Sequence, residues 1–350
     1  MPILSTSAPN FSKLPAMIQS CAIKPIAQSF FEDLEDYLES DLRDVNLKIS
    51  SFFSDVPLIN QISHHLIQAG GKRIRPILTL LCAQLDQPIQ NRKVIDLAAS
   101  LELIHMATLL HDDVIDQGTH RRHKPCAHTL WGNQATILVG DYLFSRAFQT
   151  MVHSDSLPIL KSLSQAATAI TEGEVLQLTL TGDLTTPDET YFKMIGLKTA
   201  SLFKAACEIG ALLGHGSYSK ALGSYGYELG IIFQLVDDLL DYTPHRNQMG
   251  KTIGTDLKEK KMTLPLLWLY QQSDYVDKQA LEDIMFKEEP SPKDLDTLIS
   301  LMEIHKIPSK ITDYLNHRQT LARSYLQEIP SSPEKTFLEG LLDFCIERVC

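Results

Sequence analysis

The chain has 350 residues and a formal charge of −11 at pH 7, from 32 basic and 43 acidic side chains, and 44% of it is hydrophobic. That balance excludes a broad basic surface for nucleic acid, and the apolar content excludes a disordered polymer. Glycine and proline, 17 of each, are too few for a many-turned all-β protein of this length, and the apolar runs read as too short for the roughly 20 residues of a membrane helix.

Residues 1–28 hold two lysines, no acid and no arginine, and lack the apolar core of a secretory signal. They read as a flexible extension ahead of one domain over 29–350, although their composition also admits organelle import. From Phe30 the apolar residues Leu34, Tyr37, Leu38, Leu42 and Val45 recur at helical steps. Helical patterning continues over about 57–69, 76–85, 93–111, 134–152, 157–181, 188–213, 220–240, 263–272 and 277–286, with two or three further helices after 292. Breaks fall at Gly70-Gly71, at Pro88 and over 118–125, 214–219 and 244–254. No run of alternating β-branched residues calls for a sheet, so the expectation is all-α. The six cysteines (Cys21, Cys82, Cys126, Cys207, Cys345 and Cys350) form no CxxC pair, which argues against a zinc ribbon and a secreted disulfide scaffold.

Two segments carry the same acidic pattern at the end of an apolar helix: His111-Asp112-Asp113-Val114-Ile115-Asp116 and Val236-Asp237-Asp238-Leu239-Leu240-Asp241. Residues i and i+4 share a helix face, with i+1 turned about 100° away, so Asp112 with Asp116 and Asp237 with Asp241 each form an expected carboxylate pair. Like charges at this spacing repel, and a helix C-terminus disfavours anions. Both costs reverse where Mg²⁺ sits, an ion that uses one or two carboxylates plus substrate phosphates. One such cluster could be a solvated helix end; two of the same form point to Mg²⁺ ions clamped around a diphosphate.

Cationic counterparts accompany them. Gly70-Gly71-Lys72-Arg73-Ile74-Arg75-Pro76 combines a glycine turn, basic side chains and a helix start, with Pro76 suited to the first helical position. Arg121-Arg122 follows the first cluster closely, Lys198-Thr199 lies within a helix, and Lys251 follows the second cluster. These fit a second, metal-free diphosphate site. His105, His111, His120, His123 and His128 lack zinc-ligand spacing; His105, two turns before Asp112, is placed to donate to a diphosphate oxygen.

Together with GDYLFSRAFQ, EGEVLQL, KTASLF and GKTIGTDL…KKMTLPLL, these segments resemble the trans-type (E) polyprenyl diphosphate synthases over about nine-tenths of the chain, and within that family the bacterial long-chain, octaprenyl-forming members. The resemblance implies mostly antiparallel helices around a central cavity, a homodimer, a cytoplasmic location and two to three Mg²⁺ ions. It implies elongation of an allylic diphosphate, farnesyl diphosphate, with isopentenyl diphosphate to a long-chain product such as octaprenyl diphosphate for a quinone side chain. The alternatives are a product between geranylgeranyl and solanesyl length, or a non-catalytic partner subunit.

By the same resemblance Asp112, Asp116 and Asp237 are metal ligands, supported by Asp113, Asp238 and Asp241. Arg121, Lys198 and Lys251 contact the allylic diphosphate. Lys72, Arg75, His105 and Arg122 bind isopentenyl diphosphate, and Thr199 and Gln234 lie near the carbocation. The product channel is expected along Ile104, Ala107 and Thr108, with Met151 near its floor, and peripheral membrane contact is expected at product release. Two departures stand out: the extension, and Lys260-Lys261-Met262 where the family has Gly-Lys before Thr-Leu-Pro. Neither is expected to touch a metal ligand.

Overall fold

Proline opens many of the helices, because its missing N–H costs nothing in a first turn and its φ is already helical. The computed structural model describes residues 25–52, 54–85, 92–122, 124–243 and 254–349. The first half runs α1 (Pro25–Tyr37), α2 (Glu39–Ser50), α3 (Pro57–Gln68), α4 (Ile74–Gln84) and α5 (Arg92–Ile115). A small antiparallel hairpin follows, β1 (His120–Arg121) with β2 (Lys124–Pro125), and then α6 (Ala127–Val152) and α7 (Leu157–Leu180). Next come α8 (Asp188–Ile195), a π-helical turn (Gly196–Ala200), α9 (Ser201–Leu213) and α10 (Ser219–Leu240). The chain finishes with α11 (Thr255–Lys258), α12 (Leu264–Gln272), α13 (Tyr275–Met285), α14 (Pro292–Ile304), α15 (Ile307–Ser324) and α16 (Pro333–Ile346).

Among the described residues the fold is all-α apart from that hairpin. Helix α5 is central, packed on α2, α4, α6 and α9, while α10 packs on α9, α15 and α16. Tyr191, Phe203 and Tyr225 are the largest side chains enclosed in this core. By length and composition α5 could cross a membrane, contrary to the reading that no apolar stretch is long enough; 67% of its most apolar window is buried inside the protein. Its apolarity therefore has a packing partner within the fold.

Several boundaries differ from the sequence pattern. Helix α1 begins at Pro25, four residues ahead of the expected domain start. The helix expected from Phe30 is two, because Leu38 leaves helical geometry (φ −103°, ψ 13°) and lets α1 pack on α16 while α2 packs on α5. Helix α4 begins at Ile74 behind a left-handed Arg73 (φ 50°), so Pro76 is its third residue. Helix α6 begins at Ala127, with Gly132 (φ 81°) kinking it and hiding its first turn from periodicity. The helix expected over 188–213 is broken by the π turn. The break at Pro88, most of 244–254, His123, Cys21 and Cys350 lie outside the described residues.

Candidate active site

Both acidic triplets stand at helix C-termini. Asp116 donates its N–H to the Asp112 carbonyl at 2.8 Å just past α5, and Asp241 caps α10. Between these ends lies a cavity of about 270 Å³, lined by Asp112 and Asp116 on one side and by Asp237 and Asp238 on the other. Lys198 and Thr199 enter it from the π turn, Gln234 from α10, and His105 and Thr108 from α5; Arg75 and Arg121 complete the cationic part of its wall. Residues from five separate segments of sequence thus meet in one space.

The first carboxylate pair is the expected one. The second is not: Asp241 is buried and accepts the Asp256 N–H at 2.9 Å, leaving Asp237 and Asp238 to face the cavity. The reason is that α10 ends at Leu240, and the carboxylate of its cap anchors the start of α11. Asp113 turns away as the 100° step requires, and the Arg121 guanidinium grips it through Nε (2.8 Å) and Nη2 (2.7 Å).

Burial pushes the Asp112 carboxyl up to about 7; the nearby Lys198 ammonium opposes this, and Glu174 and Asp116 add to it. Burial also pushes Asp238 up to about 7, against hydrogen bonds from Tyr191 (2.5 Å) and Gln234 (2.7 Å) and with help from Asp237 and Asp241. Asp256 is raised by burial and then by Asp241 and Asp238. Crowded carboxylates in a desolvated space hold their protons until a cation joins them.

Among the described residues no three His, Cys, Asp or Glu side chains converge on one metal position. The donor set is nonetheless hard oxygen in pairs, which suits an ion taking one or two carboxylates and completing its shell with phosphate and water. The fit is to Mg²⁺, not to zinc.

The cationic flank is built differently. Arg75 is half-buried, stacked 4.8 Å over the Phe203 ring, and its enclosed Nε has no hydrogen-bond partner. A buried guanidinium N–H without a protein partner is costly, and a diphosphate oxygen is an acceptor that would satisfy it. His105 is held well below its usual range by burial and by the guanidinium groups of Arg75, Arg121, Arg122 and Arg73, so it is a neutral donor. Arg73 pairs with buried Glu102 at 2.6 Å. Arg122 lies against Gly71, where a Cβ would come within 2.5 Å of its Nη1.

Lys72 is not at the aspartate cavity. It lines a separate groove with Glu35, Glu39 and Arg43, its ammonium 4.0 Å from the centre of the Phe344 ring and 5.1 Å from that of Phe31, and burial lowers it to about 8. Of the four channel residues, Thr108 lines the cavity, whereas Ile104, Ala107 and Met151 are fully enclosed in the core. Lys251 lies outside the described residues.

The structure also adds residues. Glu174 and Gln177 line the cavity from α7, and Glu174 accepts the Lys198 ammonium at 2.8 Å. The signal was present in EGEVLQL, an acid and an amide three residues apart on an apolar helix. Arg348, near the C-terminus, reaches Asp237 at 3.3 Å. Lys261 donates to Asp116 at 2.6 Å, so one of the two departures does touch an expected metal ligand.

The sequence model of the polyprenyl synthetase family matches residues 56–302. The chain belongs to the polyprenyl synthetase family. It is 44% identical over 239 residues to octaprenyl diphosphate synthase of Escherichia coli (strain K12), spanning 67% of this chain and 74% of that one. The Haemophilus influenzae octaprenyl diphosphate synthase is 36% identical over 89% of this chain and 94% of its own. Among solved structures, a Caulobacter crescentus polyprenyl synthase complexed with calcium and isoprenyl diphosphate superposes with a TM-score of 0.87 at 38% identity, covering 91% of this chain and 98% of that chain. The fold and the enzyme class read from the motifs therefore stand: a polyprenyl synthetase of all-α architecture, a trans-prenyltransferase.

Proposed function

We propose that this polyprenyl synthetase extends farnesyl diphosphate by successive trans additions of isopentenyl diphosphate, releasing octaprenyl diphosphate as a quinone side-chain precursor. The carrying observation is the cavity in which two aspartate-bearing helix ends and Lys198 meet, with the half-buried, partly unpaired Arg75 beside neutral His105. The octaprenyl diphosphate synthases at 44% and 36% identity support the product length.

In this reading Asp112, Asp116 and Asp237 hold Mg²⁺, two to three ions, with Asp238 beside them. Bound Mg²⁺ supplies charge stabilisation for the leaving diphosphate. Lys198 and Arg121 add fixed positive charge around the same group, a contact that the family resemblance also assigns to Lys251, and this preorganised field favours ionisation of the allylic C–O bond. The Thr199 hydroxyl donates a hydrogen bond to Gln234 Oε1 at 2.7 Å, which leaves its lone pairs to face the carbon that becomes positive. Arg75 and His105 orient isopentenyl diphosphate so that its double bond attacks that carbon. The proton lost at the end of each addition passes to the released diphosphate.

A homodimer belongs to the same proposal. Leu130, Ile137 and Leu138 on α6 and Val175 and Leu178 on α7 are exposed, an apolar surface that a second copy would cover. We place the enzyme in the cytoplasm with peripheral membrane contact at product release. Incubation with Mg²⁺, farnesyl diphosphate and labelled isopentenyl diphosphate, followed by product chromatography, tests the activity. A forty-carbon product is expected; absence of incorporation by the folded protein refutes the reading.

A further inference from the structure

The Lys261 side chain lies where the two acidic segments are physically tied. Its ammonium donates to Asp116 Oδ2 at 2.6 Å and to Glu259 Oε2 at 2.7 Å, inside the cavity wall. The backbone beneath it is fixed from both sides. The Lys261 N–H donates to the Asp256 carbonyl at 2.9 Å, and the Asp256 N–H donates to Asp241 Oδ2 at 2.9 Å. The preceding residue, Lys260, takes a left-handed conformation (φ 53°), and its carbonyl accepts the Gly182 N–H at 3.0 Å. A continuous set of bonds therefore runs Asp241–Asp256–Lys261–Asp116, from the second cluster to the first.

Three of these acids have a cation of their own: Asp113 has Arg121, Asp237 has Arg348, and Asp116 has Lys261. Asp113 is turned away from the Asp112–Asp116 face, so its pair with Arg121 can persist when a divalent ion arrives. The Lys261 pair cannot persist unchanged. An ammonium already bonded to Asp116 either leaves that carboxylate or stays within a few ångströms of the incoming ion, and both weaken binding of the bare metal.

We propose that Lys261 is a resident cation for the first aspartate cluster. It holds Asp116 in place and competes with divalent metal there. Lys261 is a positioning residue acting through Asp116, and the inference rests on the metal-binding reading of the clusters given above.

The test is Mn²⁺ affinity of the full-length protein without substrate, measured by titration calorimetry for wild type, Lys261→Gln, Lys261→Met and Lys261→Arg. The two neutral variants are expected to bind Mn²⁺ about 5- to 20-fold more tightly, and the Arg variant to resemble wild type. Adding Asp116→Asn should abolish the gain, since the two effects then share one partner. Unchanged or weaker Mn²⁺ binding in folded Lys261→Gln overturns the proposal, as does a gain that survives Asp116→Asn. Lys261→Met repeats the measurement should the Gln variant not fold, and both failing while Arg folds also overturns it, because the lysine's role is then structural. Failure of the underlying reading looks different: wild type itself shows no saturable Mn²⁺ binding, with or without inorganic pyrophosphate.

Discussion

Thr199 and Gln234 are joined by a 2.7 Å hydrogen bond from the threonine hydroxyl to the amide oxygen, across two helical segments 35 residues apart in sequence. The amide nitrogen of Gln234 donates onward to Asp238, and Tyr191 donates to the other oxygen of the same carboxylate. All four side chains are thereby locked: the amide cannot flip without losing two bonds, and the hydroxyl has one rotamer that satisfies it.

Gln234→Leu removes both bonds while keeping the volume. Its kcat should fall on the order of 10²-fold with little change in KM for either substrate, as expected when a fixed dipole near developing charge is lost. Thr199→Val combined with Gln234→Leu should be no worse than Gln234→Leu alone, because the pair acts as a unit. Steady-state kinetics of the two single variants and the double variant decide it; additive losses would mean independent roles.

The π turn that carries Lys198 depends on close approach. A Cβ at Gly173 would lie 2.5 Å from the Lys198 nitrogen and 2.8 Å from its Cα, both backbone atoms that cannot swing aside. Gly173→Ala should cost about 1–3 kcal/mol of stability by overpacking and should also lower kcat, since Lys198 moves with its backbone. Denaturant unfolding and single-turnover rates check the two parts. An alanine variant with wild-type stability and rate would show that α7 and the π turn can separate freely.

In chelator, the stability of this protein should fall as pH rises from about 4 to about 7. Asp112 and Asp238, both pushed up to about 7 by burial, keep protons in the folded state that the unfolded chain has already released. Asp112→Asn removes one of these groups. The melting temperature of the variant relative to wild type should therefore rise between pH 5 and pH 8 without metal, and the advantage should shrink with Mg²⁺ and pyrophosphate present. A pH-independent difference would rule out this titration.

Product length gives a paired test on α5. Thr108 faces the cavity, so Thr108→Tyr should shorten the product while the protein stays folded. Ala107 is fully enclosed, so Ala107→Tyr should destabilise the fold by about 1–3 kcal/mol or more, and any change in product comes with that loss. Product chromatography beside thermal melts separates the two. Equal stability and equal shortening in both variants would place Ala107 on the channel wall as well.

What the amino-acid order determined by itself is local: the two Asp-Asp-x-x-Asp helix ends, the GGKRIRP turn, and the apolar periodicity that makes the chain helical. Spacing along one helix was enough to pair Asp112 with Asp116 and to turn Asp113 away, because a helix fixes both directions. It was not enough for Asp237, whose cavity partner is Asp238. That choice depended on where α10 stops and on Asp241 binding the backbone of a later segment.

Tertiary structure alone decided which distant groups meet. Lys261 bonds Asp116 across 145 residues, and Arg348 reaches Asp237 across 111. Ile104 and Ala107 are enclosed while Thr108, one residue on, faces the cavity. Lys72 turns to aromatic rings in another groove. The π turn, too, is invisible to a 3.6-residue period, and its backbone lies in close approach to Gly173 on α7 and Gly230 on α10, neighbours that only the packing supplies. Periodicity names the face a side chain occupies; only the packing of one helix on another says what that face meets.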